Sequence, residues 1–527
     1  MPGDDYREAL LDRLTRFRSN RVLWLGLLVG LAVALGPRST PAPEAGGAGP
    51  GAAPGEAGAG SARLLAISTE PQAVAAAQPP PGFRALPPGQ TAYARRGGAY
   101  VRAVPSPDGE LLSQLFYDTP LPLLGVVDSA DGPAWYQVEL WGVLRGWIRA
   151  VEVLVDEPPD SVPAPWERPG GGGAAAARPA FAGATGPAAL ATTGHTIWNA
   201  RLRAAPNEHA PLLAELPAGT SGAVTAWATD DDTEAWFELR LDEGSGWVYG
   251  ANLSLDPPPG TASGQAAARL AGKGMWVSRP FLPLANPTRL VEAAKALGLT
   301  HLYVDIASSR GGFYNQDALA ALLPLAHAQG LRIVGWIWPT LADPLADVDL
   351  SVQVAQYTTP DGHRLDGLAP DLEERMDVDQ VRAYIQVLRT RLGADYLLVG
   401  TVFPPLHQFA RRYPQHKVMA GWVDLFAPMA YWSEARREFS ANEVHRYVSR
   451  AVQDLRLDAG DVGYAVAPIG QMYDTFGRNG IGAYSPGAPE ITAALQASKD
   501  AGAVGASFFQ WGTATPEEWR ALRDFPW

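Results

Sequence analysis

The stretch RLDGLAPDLEER, residues 364–375, sets four carboxylates, Asp366, Asp371, Glu373 and Glu374, around a short apolar run. Residues two apart on an extended chain share one face, so Asp371 and Glu373 point the same way and Leu372 points opposite. At hydrogen-bonding distance two such groups cannot both ionise cheaply, and one keeps a proton near neutral pH. A retained proton is what a general acid needs. The bland account makes these acids solvated charges at the positive start of a following helix, EERMDVDQV. It suits Glu374 and Asp377 well. It suits Asp371 poorly, because that residue still falls within the apolar strand.

Polar and aromatic groups close other apolar runs. Asp305 lies in HLYVDIAS, Trp336 and Trp338 in RIVGWIWP, Tyr431 and Trp432 in LFAPMAYW, and Gln510 and Trp511 in GASFFQWG. Indole faces beside carboxylates match a sugar ring, which offers C–H groups for stacking and hydroxyls for hydrogen bonds. A lone Trp is more often packing; a set gathered at one end of several runs is harder to explain as packing. The eight His residues are scattered without metal-ligand spacing, so neither metal nor cofactor is expected. There is no Gly-x-Ser-x-Gly elbow and no dinucleotide fingerprint.

The elements that must carry these groups follow one pattern. From about Lys273 to Trp527, eight short apolar runs alternate with stretches of helical period that Gly closes. They begin with GMWVS (274–278) and continue through GLAPDLE (367–373) and YLLVGTVFP (396–404) to GASFFQWG (505–512). Eight such units in about 255 residues predict a (β/α)8 TIM barrel, with a doubly wound sheet as the alternative. In such a barrel the chemistry sits where strands end and the following loops begin.

DGLAPDLE (366–373) resembles the fourth-strand Asp-Gly-x-x-x-Asp-x-Glu signature of glycoside hydrolase family 18, the chitinase-like barrels. PMAYW (428–432) is similar to that family's sixth-strand Met-x-Tyr, and FFQWG (508–512) to its eighth-strand Trp. The resemblance implies that Glu373 protonates the glycosidic oxygen. It makes Asp371 orient the substrate's N-acetyl group, whose carbonyl oxygen attacks the anomeric carbon. Tyr431 would bind that acetamide and Trp511 would form the floor under the sugar. Asp305, Trp336, Trp338, Trp432 and Gln510 complete the expected substrate surface. Two positions depart from the pattern: Ala369 stands where the family has another Asp, and Trp432 follows Tyr431 where Asp is usual. If acetamide assistance fails, Asp305 or Glu434 is the second carboxylate of an ordinary two-acid mechanism.

Upstream, YVRAVPSPDGELLSQL (100–115) echoes RLRAAPNEHAPLLAEL (201–216), and AWYQVELWGVLRGWIRAVEV (134–153) echoes AWFELRLDEGSGWVYGANLSL (235–255). Alternating apolar residues and frequent turn signals make each copy a small all-β barrel. With Arg-x-x-Pro at the start and Gly-Trp-Ile/Val near the end, residues 92–155 and 193–256 resemble bacterial SH3-like domains. That resemblance implies a cell-wall peptide or a protein as ligand. Their Trp residues are expected in the core. Pro/Gly/Ala-rich linkers are expected at 37–91 and 156–192.

At the N-terminus, Arg16, Arg18 and Arg21 precede an uncharged apolar run at residues 22–36. Positive charge before the run orients residues 1–21 inside and the remainder outside. A single hydrophobic helix anchoring an exported protein is preferred over a cleaved signal sequence ending at the small-x-small site Ala32-Val33-Ala34. The net charge is −13, with no long basic run, which argues against a nucleic-acid partner. With no cysteine, disulfides, thiol nucleophiles and thiolate metal sites are excluded. The expectation is an exported glycoside hydrolase-like protein acting on N-acetylhexosamine-containing glycan, peptidoglycan or a chitin-like polymer. The competing classes are a non-catalytic glycan receptor and a scaffold whose SH3-like modules recruit a protein.

Overall fold

The computed structural model describes residues 80–94, 99–115, 120–129, 132–155, 187–262, 264–278, 286–374, 377–412, 414–432, 439–473, 484 and 486–527. The expected anchor, its leader, most of both linkers and Glu434 lie outside them. Among the described residues no helix is long and apolar enough to cross a membrane.

The first β module comprises β1 (Phe83–Ala85), β2 (Thr91–Ala94), β3 (Ala99–Arg102), β4 (Leu111–Leu115), β5 (Pro120–Ser129), β6 (Gly132–Leu140), β7 (Leu144–Arg149) and β8 (Val153–Val155). The second comprises β9 (Ala188–Thr196), β10 (Ala200–Arg203), β11 (Leu212–Leu216), β12 (Ser221–Thr229), β13 (Ala235–Leu241), β14 (Gly244–Tyr249) and β15 (Leu253–Leu255). Pairing runs β4-β3-β7-β6-β5-β2-β8 in one and β11-β10-β14-β13-β12-β9-β15 in the other, the same order twice. The repeated Arg does the same work in each copy. Arg102 Nη1 donates to Gly109 O and Arg203 Nη1 to Ala210 O, both at 2.8 Å, closing the turn that contains the Pro. Each Arg also pairs across the sheet with the repeated Trp, Trp147 or Trp247. Both rings are buried, whereas Trp135 is half-buried.

Strand structure starts earlier than composition indicates. β1 and the first residues of β9 fall within the stretches expected to be linkers, because β5 and β12 supply their hydrogen-bond partners. Ala- and Pro-rich sequence carries little strand signal of its own, so pairing from elsewhere decides.

The C-terminal part alternates strand and helix: β16 (Gly272–Val277), α1 (Pro287–Ala296), β17 (Leu299–Ser308), the short β18 (Gly312–Phe313), α2 (Gln316–Ala328), β19 (Arg332–Trp338), α3 (Pro344–Gln356), β20 (Gly367–Pro370) and α4 (Val378–Leu392). It continues with β21 (Val399–Val402), α5 (Gln408–Arg412), α6 (Gln415–Met419), β22 (Leu425–Pro428), α7 (Ala441–Ala459), β23 (Ile469–Gln471), α8 (Ala488–Asp500), β24 (Gly505–Phe509) and α9 (Pro516–Asp524). A strand overlaps each of seven expected runs, with β16 and β17 starting two residues before theirs; in GYAVAPIG (463–470) it begins only at Ile469 and extends to Gln471. Parallel pairing links β20-β19-β17-β16-β24-β23 and, separately, β21-β22. Isolated parallel bridges join the two sheets at both seams, Leu368–Leu398 and Asp371–Thr401 on one side, Phe426–Val466 and Met429–Ile469 on the other.

Helix starts are written in the sequence: Pro follows the cap at α1, α3 and α9, and side chains of Asn286, Asp343, Asp377 and Thr515 accept from first-turn N–H groups. Two buried cations are satisfied by partners far away in the sequence. Arg389 Nη2 donates to Asp424 Oδ2 at 2.7 Å, and Lys273 Nζ reaches the carbonyls of Leu522, Arg523 and Phe525 at the end of α9.

Both modules are seated on the helices. Asn286 Nδ2 donates to Glu110 at 2.6 Å, and Arg523 Nη1 donates to Gly142 O at 3.0 Å. On α4, Gln380 Nε2 donates to Glu234 at 2.7 Å, and Gln386 exchanges hydrogen bonds with Leu255 N–H and Ser254 Oγ.

Candidate active site

Asp371 is the centre of the site. The regular strand β20 stops at Pro370, but Asp371 extends it, with its N–H donating to Ile337 O at 2.9 Å and a bridge to Thr401. The side chain is 4% exposed. Trp336 Nε1–H donates to its Oδ2 at 3.2 Å, while Oδ1 is buried without a partner. Burial pushes this carboxyl well above its ordinary range, and the charges of Glu373 and, more weakly, Asp305 push it further. The Trp336 donor opposes them and is outweighed. Glu373, two residues on, is half-buried and close enough for its charge to act on Asp371.

Asp305 is buried on β17 opposite Trp336, and the Tyr314 hydroxyl donates to its Oδ1. Trp336 meets Trp276 edge-on at 5.3 Å, and Trp276 stacks on Tyr303 at 4.2 Å. On its other side Trp336 meets Phe509 at 5.9 Å, and Phe509 meets Tyr431 at 6.1 Å and Tyr473 at 5.9 Å. Asp305, Asp371, Glu373, Trp336 and Tyr431 therefore form one connected group, in which Phe509 is the joint.

Two aromatic expectations need correction. Trp432 is fully buried, and its indole N–H donates to the Tyr484 hydroxyl at 3.0 Å, so its faces meet the core. Trp511 is 1% exposed and lies between Trp141 of the first module and Trp519 of α9, 5.1 Å from each. The half-buried ring beside the carboxylates is Phe509 instead. Alternation could have found it: Ser507 accepts from Trp276 Nε1 at 3.0 Å, and Phe509, two positions on, shares its face. Trp338 is 6% exposed beneath the Arg310 guanidinium, whose carbon is 5.6 Å from the ring centre. Gln510 is also buried, and its Oε1 has no partner. Tyr473, in the loop after β23, carried no signal beyond being aromatic.

The four carboxylates of residues 364–375 take separate roles. Asp366 Oδ2 accepts from Ile333 N–H at 2.8 Å and lies 3.1 Å from His327 Nε2, at the opposite ends of the strands. Glu374 is no helix-start charge, since α4 begins only at Val378 with Asp377 as its cap. It accepts from Arg310 Nη2 at 2.8 Å. Burial raises its carboxyl, against the pull of that guanidinium. Nearby, Asp347 accepts from Ser309 Oγ and Leu341 N–H, and burial lifts it to about 6.

A cavity of about 570 Å³ opens near Arg332, Asp366 and Tyr396, and none of the candidate residues lines it. Among the described residues no group of three carboxylates or imidazoles is placed to hold a metal ion.

No protein-family model matches the chain, and no curated protein does. Solved structures with partial likeness include the spore cortex-lytic enzyme SleL of Bacillus cereus, 14% identical with a TM-score of 0.39, covering 49% of this chain and 75% of that one. A GH18 chitinase from Cycas revoluta is 13% identical with a TM-score of 0.37, covering 48% of this chain and 98% of that one. A chitinase-like agglutinin from Robinia pseudoacacia is 13% identical with a TM-score of 0.36, covering 47% and 98%. Likenesses this low carry no weight for the site chemistry, which rests on the side chains.

Proposed function

We propose that this chain is an exported glycoside hydrolase-like protein that cleaves N-acetylhexosamine-containing glycan, with Glu373 as general acid. The eight parallel strands form a closed (β/α)8 barrel, a reading supported by the bridges that give every strand two neighbours. The carrying observation is the Asp371–Glu373 pair, one carboxyl buried and raised well above its ordinary range, its neighbour half-buried at the strand end. The pair holds one proton between them. Asp371 passes it to Glu373, the half-buried member, which gives it to the glycosidic oxygen as the C–O bond breaks. The electron pair leaves with the departing sugar, and the substrate's acetamide oxygen closes on the anomeric carbon. Asp371 orients that acetamide, Tyr431 bonds it, and Phe509 with Trp336 supplies the apolar floor assigned from sequence to Trp511.

A receptor without turnover is the second reading, and one observation favours it. Ala369, which shares a strand face with Asp371, offers no carboxyl to relay a proton behind it. The two β modules are SH3-like domains that bind a wall peptide or a partner protein, and residues 22–36 anchor the chain with its C-terminal part outside the membrane. Incubation of wild type and Glu373→Gln with labelled peptidoglycan and chitooligosaccharides separates the readings. Turnover that falls about 10²- to 10⁴-fold in the variant supports the enzyme. Binding without turnover in both proteins supports the receptor.

A further inference from the structure

Trp141 lies in the turn between β6 and β7 of the first module, yet its ring is 7% exposed. Its φ is 53°, a left-handed conformation that bulky residues seldom adopt, and Gly142 beside it has φ 65°. Both values belong to the hairpin turn that Val143 N–H closes on Leu140 O at 3.1 Å; the burial of the ring comes from the C-terminal domain packed against that turn. The ring meets Trp511 edge-on at 5.1 Å, and Arg523 Nη1 donates to Gly142 O at 3.0 Å. Arg520 lies 3.7 Å from Glu139 on the same module.

Trp511 is two residues beyond Phe509, the ring that joins Trp336, Tyr431 and Tyr473. The connecting segment is held from the strand side as well. Trp511 N–H donates to Trp276 O at 2.9 Å, Met472 N–H to Phe509 O at 2.7 Å, and Thr513 Oγ1 to Met472 O at 2.9 Å. Residues 509–513 are thus clamped between the strands that carry the site and the turn that carries Trp141.

We propose that Trp141 is a positioning residue: through Trp511 the first module sets where Phe509 stands in the ring cluster, making the module part of the ligand-seating machinery. The identity of the ligand rests on the glycan reading above; the mechanical coupling does not. Packed interiors transmit displacement because they have few voids to absorb it, and a small misplacement of a contact group is enough to lower affinity.

The test uses the full chain as Trp141→Ala, Trp141→Phe and, as control, Trp198→Ala, which removes a 66% exposed ring of the second module. Hydrogen exchange of residues 505–513 and binding of N-acetylglucosamine oligosaccharides are read in each. Trp141→Ala should speed exchange in that segment selectively and weaken binding about tenfold. Trp141→Phe should restore most of both, and Trp198→Ala should change neither. Wild-type exchange in Trp141→Ala, or an increase spread evenly over the whole chain, overturns the coupling. If exchange rises locally while even wild type binds no oligosaccharide, the coupling stands and the glycan reading falls.

Discussion

Replacing Asp371 by Asn asks whether its carboxyl is held neutral. The side chain is 4% exposed, Oδ1 has no partner, and Glu373 and Asp305 add negative charge beside it. An amide has almost the volume and shape of the neutral acid. If the neutral acid is the resident form, the exchange costs about 1 kcal/mol or less near pH 5, as other volume-conserving exchanges do. A resident carboxylate would instead lose a charge-assisted hydrogen bond from Trp336, about 1.5–3 kcal/mol, at every pH. The two cases also differ in slope. A folded-state value raised above the ordinary 3.8 contributes stability that is fully present below about 3.8 and is lost as pH rises through the folded value. Between those two values the loss is about 1.4 kcal/mol per pH unit. Asn has no such slope, so Asp371→Asn gains on wild type as pH rises above about 4 toward the folded value. Urea unfolding followed by tryptophan fluorescence at several pH values measures the difference. A wild-type-minus-variant difference that is constant across that range would refute the reasoning.

Two further outcomes follow from buried groups away from the site. Asp424→Ala strands the Arg389 guanidinium, since both side chains are at most 2% exposed and 2.7 Å apart; the expected loss is about 3–5 kcal/mol, read as a lower urea midpoint, and a loss under 1 kcal/mol contradicts it. His301 is fully buried, and burial drives its imidazole from 6.5 down to about 3. Its folded value is depressed, so its contribution is whole above about 6.5 and falls by about 1.4 kcal/mol per pH unit below that. Asp347, raised to about 6, slopes the opposite way, so the readout is the comparison of wild type with His301→Gln. Parallel acid limbs in the two proteins would count against a neutral buried imidazole.

The amino-acid pattern by itself determined the alternation of strand and helix in the C-terminal part and the turn that the two β modules share. Both are local properties: apolar periodicity sets the elements, and Arg102 and Arg203 close the same turn in each module because each heads the same Arg-Ala-x-Pro stretch. Tertiary structure alone decided which aromatic side chains stay near the carboxylates. Trp432, Trp511 and Phe509 are similar in the sequence, all large, apolar and near strand ends. Their fates differ because Tyr484 covers the first, Trp141 and Trp519 enclose the second, and Trp336, Tyr431 and Tyr473 gather around the third. Glu374 likewise belongs to Arg310, 64 residues earlier, rather than to the helix that follows it. Burial is set by whichever distant segment packs against a side chain, and such partners leave no periodic trace in the chain they cover.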